Sequence, residues 1–205
     1  MRVARFATHV RYSMIGVFVI LSAWPSRAQA QDGHDHLAAS AHYEQSPEQK
    51  RQAGALVKAV REATERFQNP AAAERHQYFL NFGCVSGGDF GAMGLHFVNM
   101  NLVDGEIDVM HPEIVLYEPL PNGRLRLTGA DYLVPKEAWE ANPNHTGPPE
   151  LMGQLFHLFD APNRFGLPAF YTLHVWAWKD NPNGTFTNWN PDVSCDAFAG
   201  EKHPQ

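Results

Sequence analysis

The run Ala169 to Lys179, AFYTLHVWAWK, narrows the possible folds more than any other part of this chain. Aromatic and β-branched residues dominate it, and Gly and Pro are absent, which is strand composition. Its two alternating sets are Phe170, Thr172, His174, Trp176, Trp178 and Tyr171, Leu173, Val175, Ala177. Both sets are largely apolar, so the run predicts a central strand covered on both faces. His174 is then set among aromatics. Asn181-Pro182-Asn183-Gly184 follows as a turn, before Phe186, Trp189 and Cys195.

Helix signals precede the strands. Ser46-Pro47-Glu48-Gln49 carries an N-cap, a proline at the first helical position and a capping-box glutamine. Ala53, Leu56, Val57, Val60, Thr64 and Phe67 then form one apolar stripe, which predicts a helix ending near Gln68, before Pro70. Residues 71–80 read as a second, shorter helix with Ala72, the stem of Arg75, Phe79 and Leu80 inward. Gly83 to Gly94 reads as a loop in which backbones approach closely. Strands are predicted over Leu95–Leu102, Glu113–Glu118 and Arg124–Val134. The last two are joined at Asn122-Gly123, a hairpin signal, and Gly129 marks a possible bulge. A short helical piece holds Trp139, and Leu151–Leu167 reads as irregular. Helices first and hairpin-linked strands later define an α+β fold, with N-terminal helices packed on a mainly antiparallel sheet. A small β-barrel with helical additions is the alternative.

The N-terminus has a different character. Arg2, Arg5 and Arg11 precede the apolar run Met14–Trp24, and Ala28-Gln29-Ala30 is a small-x-small site. That order is a secretory signal, with cleavage after Ala30 and a periplasmic or extracellular destination. The apolar run is too short for a comfortable bilayer span, so no membrane span is expected in the mature chain. Residues 31–45 read as a flexible polar leader carrying His34, His36 and His42, residues 46–198 as one globular domain, and 199–205 as a tail. Loss of the signal removes four arginines and no acids. It leaves 12 basic against 22 acidic side chains, a balance that disfavours nucleic acid or an anionic membrane as partner.

Cys84 and Cys195 are the two cysteines. In an exported chain an even count predicts a bridge, the alternative being two separate thiols. There is no C-x-x-C, no H-E-x-x-H, no G-x-S-x-G, no P-loop and no EF-hand spacing, so no motif names a reaction and the enzyme question stays open. The candidate chemistry is instead a set of histidines inside apolar strands: His96, His157 and His174, with Glu118 ending a strand. A buried imidazole needs a hydrogen-bond partner or a metal. Three imidazoles and a carboxylate suit Zn, Cu or Fe. Phe97, Asn99, Tyr117, Phe170, Trp176 and Trp178 would line a ligand pocket beside His174, against the alternative of plain core packing. Two functions follow: an exported domain binding a metal ion or small ligand through core histidines, or a non-catalytic envelope or interaction module in which they are structural.

The stretches GAMGLHFVN, IVLYEP, RLTGADYLVP, GLPAFYTLHVWAWKDNPNGTFTNWNP and Val193-Ser194-Cys195 resemble exported bacterial proteins of uncharacterised function. The resemblance spans about residues 50–198 and implies export and a single domain, with no activity, cofactor or site residue attached.

Overall fold

The computed structural model describes residues 45–200 and 202–203. The expected signal segment 1–30 and nearly all of the leader, with its histidines, lie outside the described residues. The fold is α+β: helix α1 (Pro47–Thr64) precedes a curled antiparallel sheet, a half-barrel.

The N-terminus of α1 is closed as its sequence demands. Ser46 Oγ accepts from the Gln49 amide at 3.2 Å, and Gln49 Oε1 accepts from the Ser46 amide at 2.8 Å. Leu56, Val60, Ala63 and Thr64 are buried along one stripe. A 3-10 turn, Glu65–Gln68, carries buried Phe67, and Asn69 then caps a second short helix, α2 (Pro70–Arg75). Here the expectation of helix to residue 80 fails. Gln77 adopts φ 68°, the left-handed conformation that ends helices, and the Tyr78 amide turns back to Ala73 O. No glycine announces that stop. Phe79 and Leu80 already belong to strand β1 (Phe79–Ser86).

Strands β2 (Ala92–Val98), β3 (Ile114–Pro119) and β4 (Leu125–Pro135) follow as hairpin neighbours. The glycine-rich run thus lies largely inside the β1–β2 hairpin. Close approach is the reason for Gly94, with φ 92°, where a Cβ would sit 2.5 Å from Tyr117 O. Helix α3 (Lys136–Ala141) carries Trp139. The run read as irregular contains a small hairpin, β5 (Glu150–Leu151) with β6 (Gln154–Leu155), turned on Met152 and Gly153, both at positive φ. It also contains β7 (His157–Phe159).

The aromatic strand β8 runs over Phe170–Val175 and is buried on both faces, but it lies next to the edge, in the order β7-β8-β4-β3-β2-β1-β9. It also ends four residues earlier than its composition predicts. Trp176 N bonds to Thr185 O, and Trp178 N bonds to Thr128 O. This kink carries the Trp176 indole N–H to Thr187 O and that of Trp178 to Thr64 Oγ1 on α1. Buried indoles need acceptors, and those requirements override the alternation. Residues 202–203, read as tail, form β9 in parallel with Cys84 and Val85.

The two sheet faces have different covers. Leu56 and Val60 of α1 pack on Tyr132, Val134, Tyr171, Leu173 and Val175. The opposite face, with Val98, Ile114, Leu116, Leu133 and Phe170, is covered by Phe82, Phe159, Phe165 and Leu167. Cys84 and Cys195 are bonded to each other, with Cα atoms 5.7 Å apart. No helix among the described residues is long and apolar enough to cross a membrane.

Candidate metal centre

His96 on β2, Asp131 on β4 and His174 on β8 share the face opposite α1. Asp131 and His174 are cross-strand partners in register, so their side chains meet as a consequence of pairing alone. His96 is different. It pairs with Leu116 on β3, and its own strand β2 lies three strands from β8. On a flat sheet three spacings amount to about 14 Å. The His96 and His174 rings are nevertheless 5.6 Å apart, edge to face. The curl of the half-barrel closes that gap, so the three residues lie on its inner face.

All three are buried, His174 at 1 % exposure, Asp131 at 4 % and His96 at 5 %. One donor atom from each lies within 4.8 Å of the others. Bonds of ~2.1 Å to a shared ion span at most ~4.2 Å, so closing on an ion needs a contraction of some tenths of an ångström. Asp131 accepts a short hydrogen bond from the Thr172 hydroxyl. Its other oxygen lies 3.2 Å from His174 Nδ1, close but out of line for a hydrogen bond, and neither His174 nitrogen has a hydrogen-bond partner. His96 Nδ1 is 3.2 Å from Gly94 O, which leaves Nε2 for another partner.

Electrostatics prepare the group for a cation. Burial, and then the neighbouring His174, push His96 down to about 4, so its imidazole is neutral with a lone pair available. Burial alone would raise Asp131. The contact with the His174 imidazole, followed by His96 and the Thr172 hydroxyl, outweighs burial and holds the carboxyl below its ordinary range. The neutral imidazole of His96, the imidazole of His174 and one carboxylate are a donor set that Zn or Fe(II) accepts with positions left open.

The group sits in a cavity walled by Phe82, Ile114, Leu133 and Phe165, with Asn188 as a further polar member. Its interior offers about 20 Å³ to the centre of a water-sized sphere, room for an ion or a water rather than an organic molecule. An apolar recess of about 180 Å³ on the same scale adjoins it, sharing Phe82, Leu133, Leu167 and Phe170.

The structure brings together His96 and His174 of the residues read from sequence and substitutes Asp131 for the carboxylate. Glu118 is engaged elsewhere, accepting from Arg126 at 3.0 Å and from Lys179 at 3.1 Å. His157 stands opposite Thr172 on the edge strand and is exposed. Of the six residues read as a pocket, Phe170 alone lines the cavity. Phe97 and Tyr117 pack on each other at 4.9 Å in the core that holds the disulfide, and Tyr117 OH donates to Phe67 O. Trp176 joins that core, Trp178 packs toward α1, and Asn99 Nδ2 donates to His76 O. Asp131 had a legible signal: it is the one acid in the strand sequence LRLTGADYLVP.

No protein-family model, curated protein or solved structure matches this chain.

Proposed function

We propose that this is an exported domain that binds one first-row transition-metal ion, Zn or Fe(II) before Cu, between His96, Asp131 and His174. The observation that carries the reading is a fully buried imidazole, His174, neither nitrogen of which has a hydrogen-bond partner, beside a buried carboxylate and the neutral imidazole of His96. An unsatisfied buried polar atom costs about 1–3 kcal/mol, and an ion removes that cost at the His174 nitrogen that ligates it. Three protein donors leave coordination positions open to water or a small ligand. Export rests on the basic, apolar, Ala-x-Ala start, and the Cys84–Cys195 bridge fits an oxidising compartment.

The test is bound metal per chain after reloading exported protein with Zn, Cu and Fe in turn and dialysing. One equivalent is expected in the wild type, and none in His174→Ala or Asp131→Ala. Binding should weaken as pH falls toward 4, where His96 takes up its proton, because only neutral imidazole coordinates. Less than about 0.1 equivalent of every metal rules the centre out at the affinity of built-in sites, and the histidines are then structural members of a non-catalytic module.

A further inference from the structure

We infer that Asn188 is a fourth protein donor of this centre, its side-chain oxygen facing the same ion; the inference rests on the His96–Asp131–His174 reading. Asn188 lies on a different part of the chain from the three strand residues, in the segment after the Asn181-Pro182-Asn183-Gly184 turn, yet it lines their cavity. Its Oδ1 is buried and has no hydrogen-bond partner. Three orphaned buried atoms, His174 Nδ1, His174 Nε2 and Asn188 Oδ1, thus belong to one small chamber. Buried polar side-chain atoms are nearly always paired, and a cluster of exceptions marks a place where an ion or water belongs.

The position of Asn188 is fixed from both sides. Thr187 O accepts from the Trp176 indole at 2.6 Å, and Thr187 Oγ1 accepts from Asn181 Nδ2 at 2.9 Å. On the other side Asn181 Nδ2 also donates to Trp189 O at 3.0 Å. Trp189 lies against Gly87, where a Cβ would come within 2.7 Å of its ring. Asn190, fully buried, exchanges backbone hydrogen bonds with Ala92 of β2, two residues before Gly94. Such bracing holds a donor in place before the ion arrives, which is how a built site differs from a loop that happens to pass nearby. An amide oxygen is a neutral, hard donor. With two imidazoles and a carboxylate it makes an N2O2 set, which favours a divalent borderline ion over Cu(I).

Co(II) is the probe, since its visible absorption reports the number and type of donors. The exported, disulfide-bonded protein is titrated as wild type, Asn188→Ala and Asn188→Asp, with affinities taken by competition against a chelator and folding checked by circular dichroism. Asn188→Ala should weaken Co(II) about 10–100-fold, the range seen when a supporting group of a metal site is lost, and should change the spectrum. Asn188→Asp keeps an oxygen donor and adds a charge, so it should bind at least as tightly as wild type. Wild-type affinity in Asn188→Ala, or weakened binding with an unchanged spectrum, overturns the donor role and leaves the three-residue centre standing. If Asn188→Ala does not fold, Asn188→Asp decides: looser binding than wild type, or an unaltered affinity and spectrum, overturns the inference. Failure of the wild type to bind Co(II) at all removes the three-residue centre, and the role of Asn188 with it.

Discussion

Glu118 and Asp131 are buried acids on neighbouring strands, and their partners separate their roles. Glu118 faces two permanent cations, Arg126 and Lys179, so its charge is compensated without a metal. Asp131 faces a hydroxyl and imidazoles, none of them a permanent cation. Replacing Glu118 by Ala should therefore leave metal content unchanged while costing about 1–3 kcal/mol of stability in denaturant titration, since Lys179 is three-quarters or more buried and would lose its counter-ion. A third acid, Glu113, takes yet another role. Burial pushes it up to about 8, against the opposing pull of the Leu133 amide that donates to it at 3.0 Å. An acid whose folded value is raised stabilises the fold fully below its unfolded value near 4.5 and loses that contribution as pH climbs toward 8. His96 acts in the opposite sense but only below its unfolded value of 6.5. Melting temperature should thus fall between pH 6.5 and 8, by the equivalent of about 2 kcal/mol, and Glu113→Gln should flatten that slope. An equal slope in both proteins would assign it to another group.

At the scale of elements, the junction of β4 and β8 matters most. Thr128 is the extra residue of a bulge opposite Leu116 and Tyr117, and Gly129 follows it. A Cβ on Gly129 would lie 2.0 Å from Val175 O, so β8 can approach β4 there only because the side chain is missing. Two residues further on, Asp131 faces His174 across the same pairing. Gly129→Ala should destabilise by about 1–3 kcal/mol through overpacking and should lower metal occupancy as well, because the strands that carry two of the three donors must separate. Loss of stability with full metal occupancy would show that the register of the centre does not depend on this contact. The start of α1 shows the opposite situation. Its capping box is complete within four residues, so nothing distant is needed to set it.

At the scale of the molecule, the Cys84–Cys195 bond ties the C-terminal segment to the sheet across a separation of 111 residues. That segment includes Asn188 and the Ala92–Asn190 bridge. The bond therefore holds together the wall of the cavity as well as the fold. Replacing both cysteines by Ala should cost about 2–5 kcal/mol in denaturant titration and weaken metal binding in parallel. Unchanged stability on reduction would mean that core packing around Phe97 and Tyr117 suffices.

The sequence by itself determined what is local. The capping box, the stripe of α1, the hairpin at Asn122-Gly123, the bulge near Gly129 and the pairing of the two cysteines were all legible, because each rests on near neighbours or on simple counting. His96 and His174 were legible as imidazoles in apolar surroundings. The tertiary structure decided which of them meet. Glu118 and Asp131 look alike in sequence, and only their cross-strand neighbours, Arg126 for one and His174 for the other, distinguish an ion-pair residue from a candidate ligand. The face of Trp176 and Trp178 was misread because indole N–H groups sought acceptors on Thr187 and Thr64. The meeting of His96 with His174 depends on the curl of four strands, a sum of small backbone twists that no single residue announces.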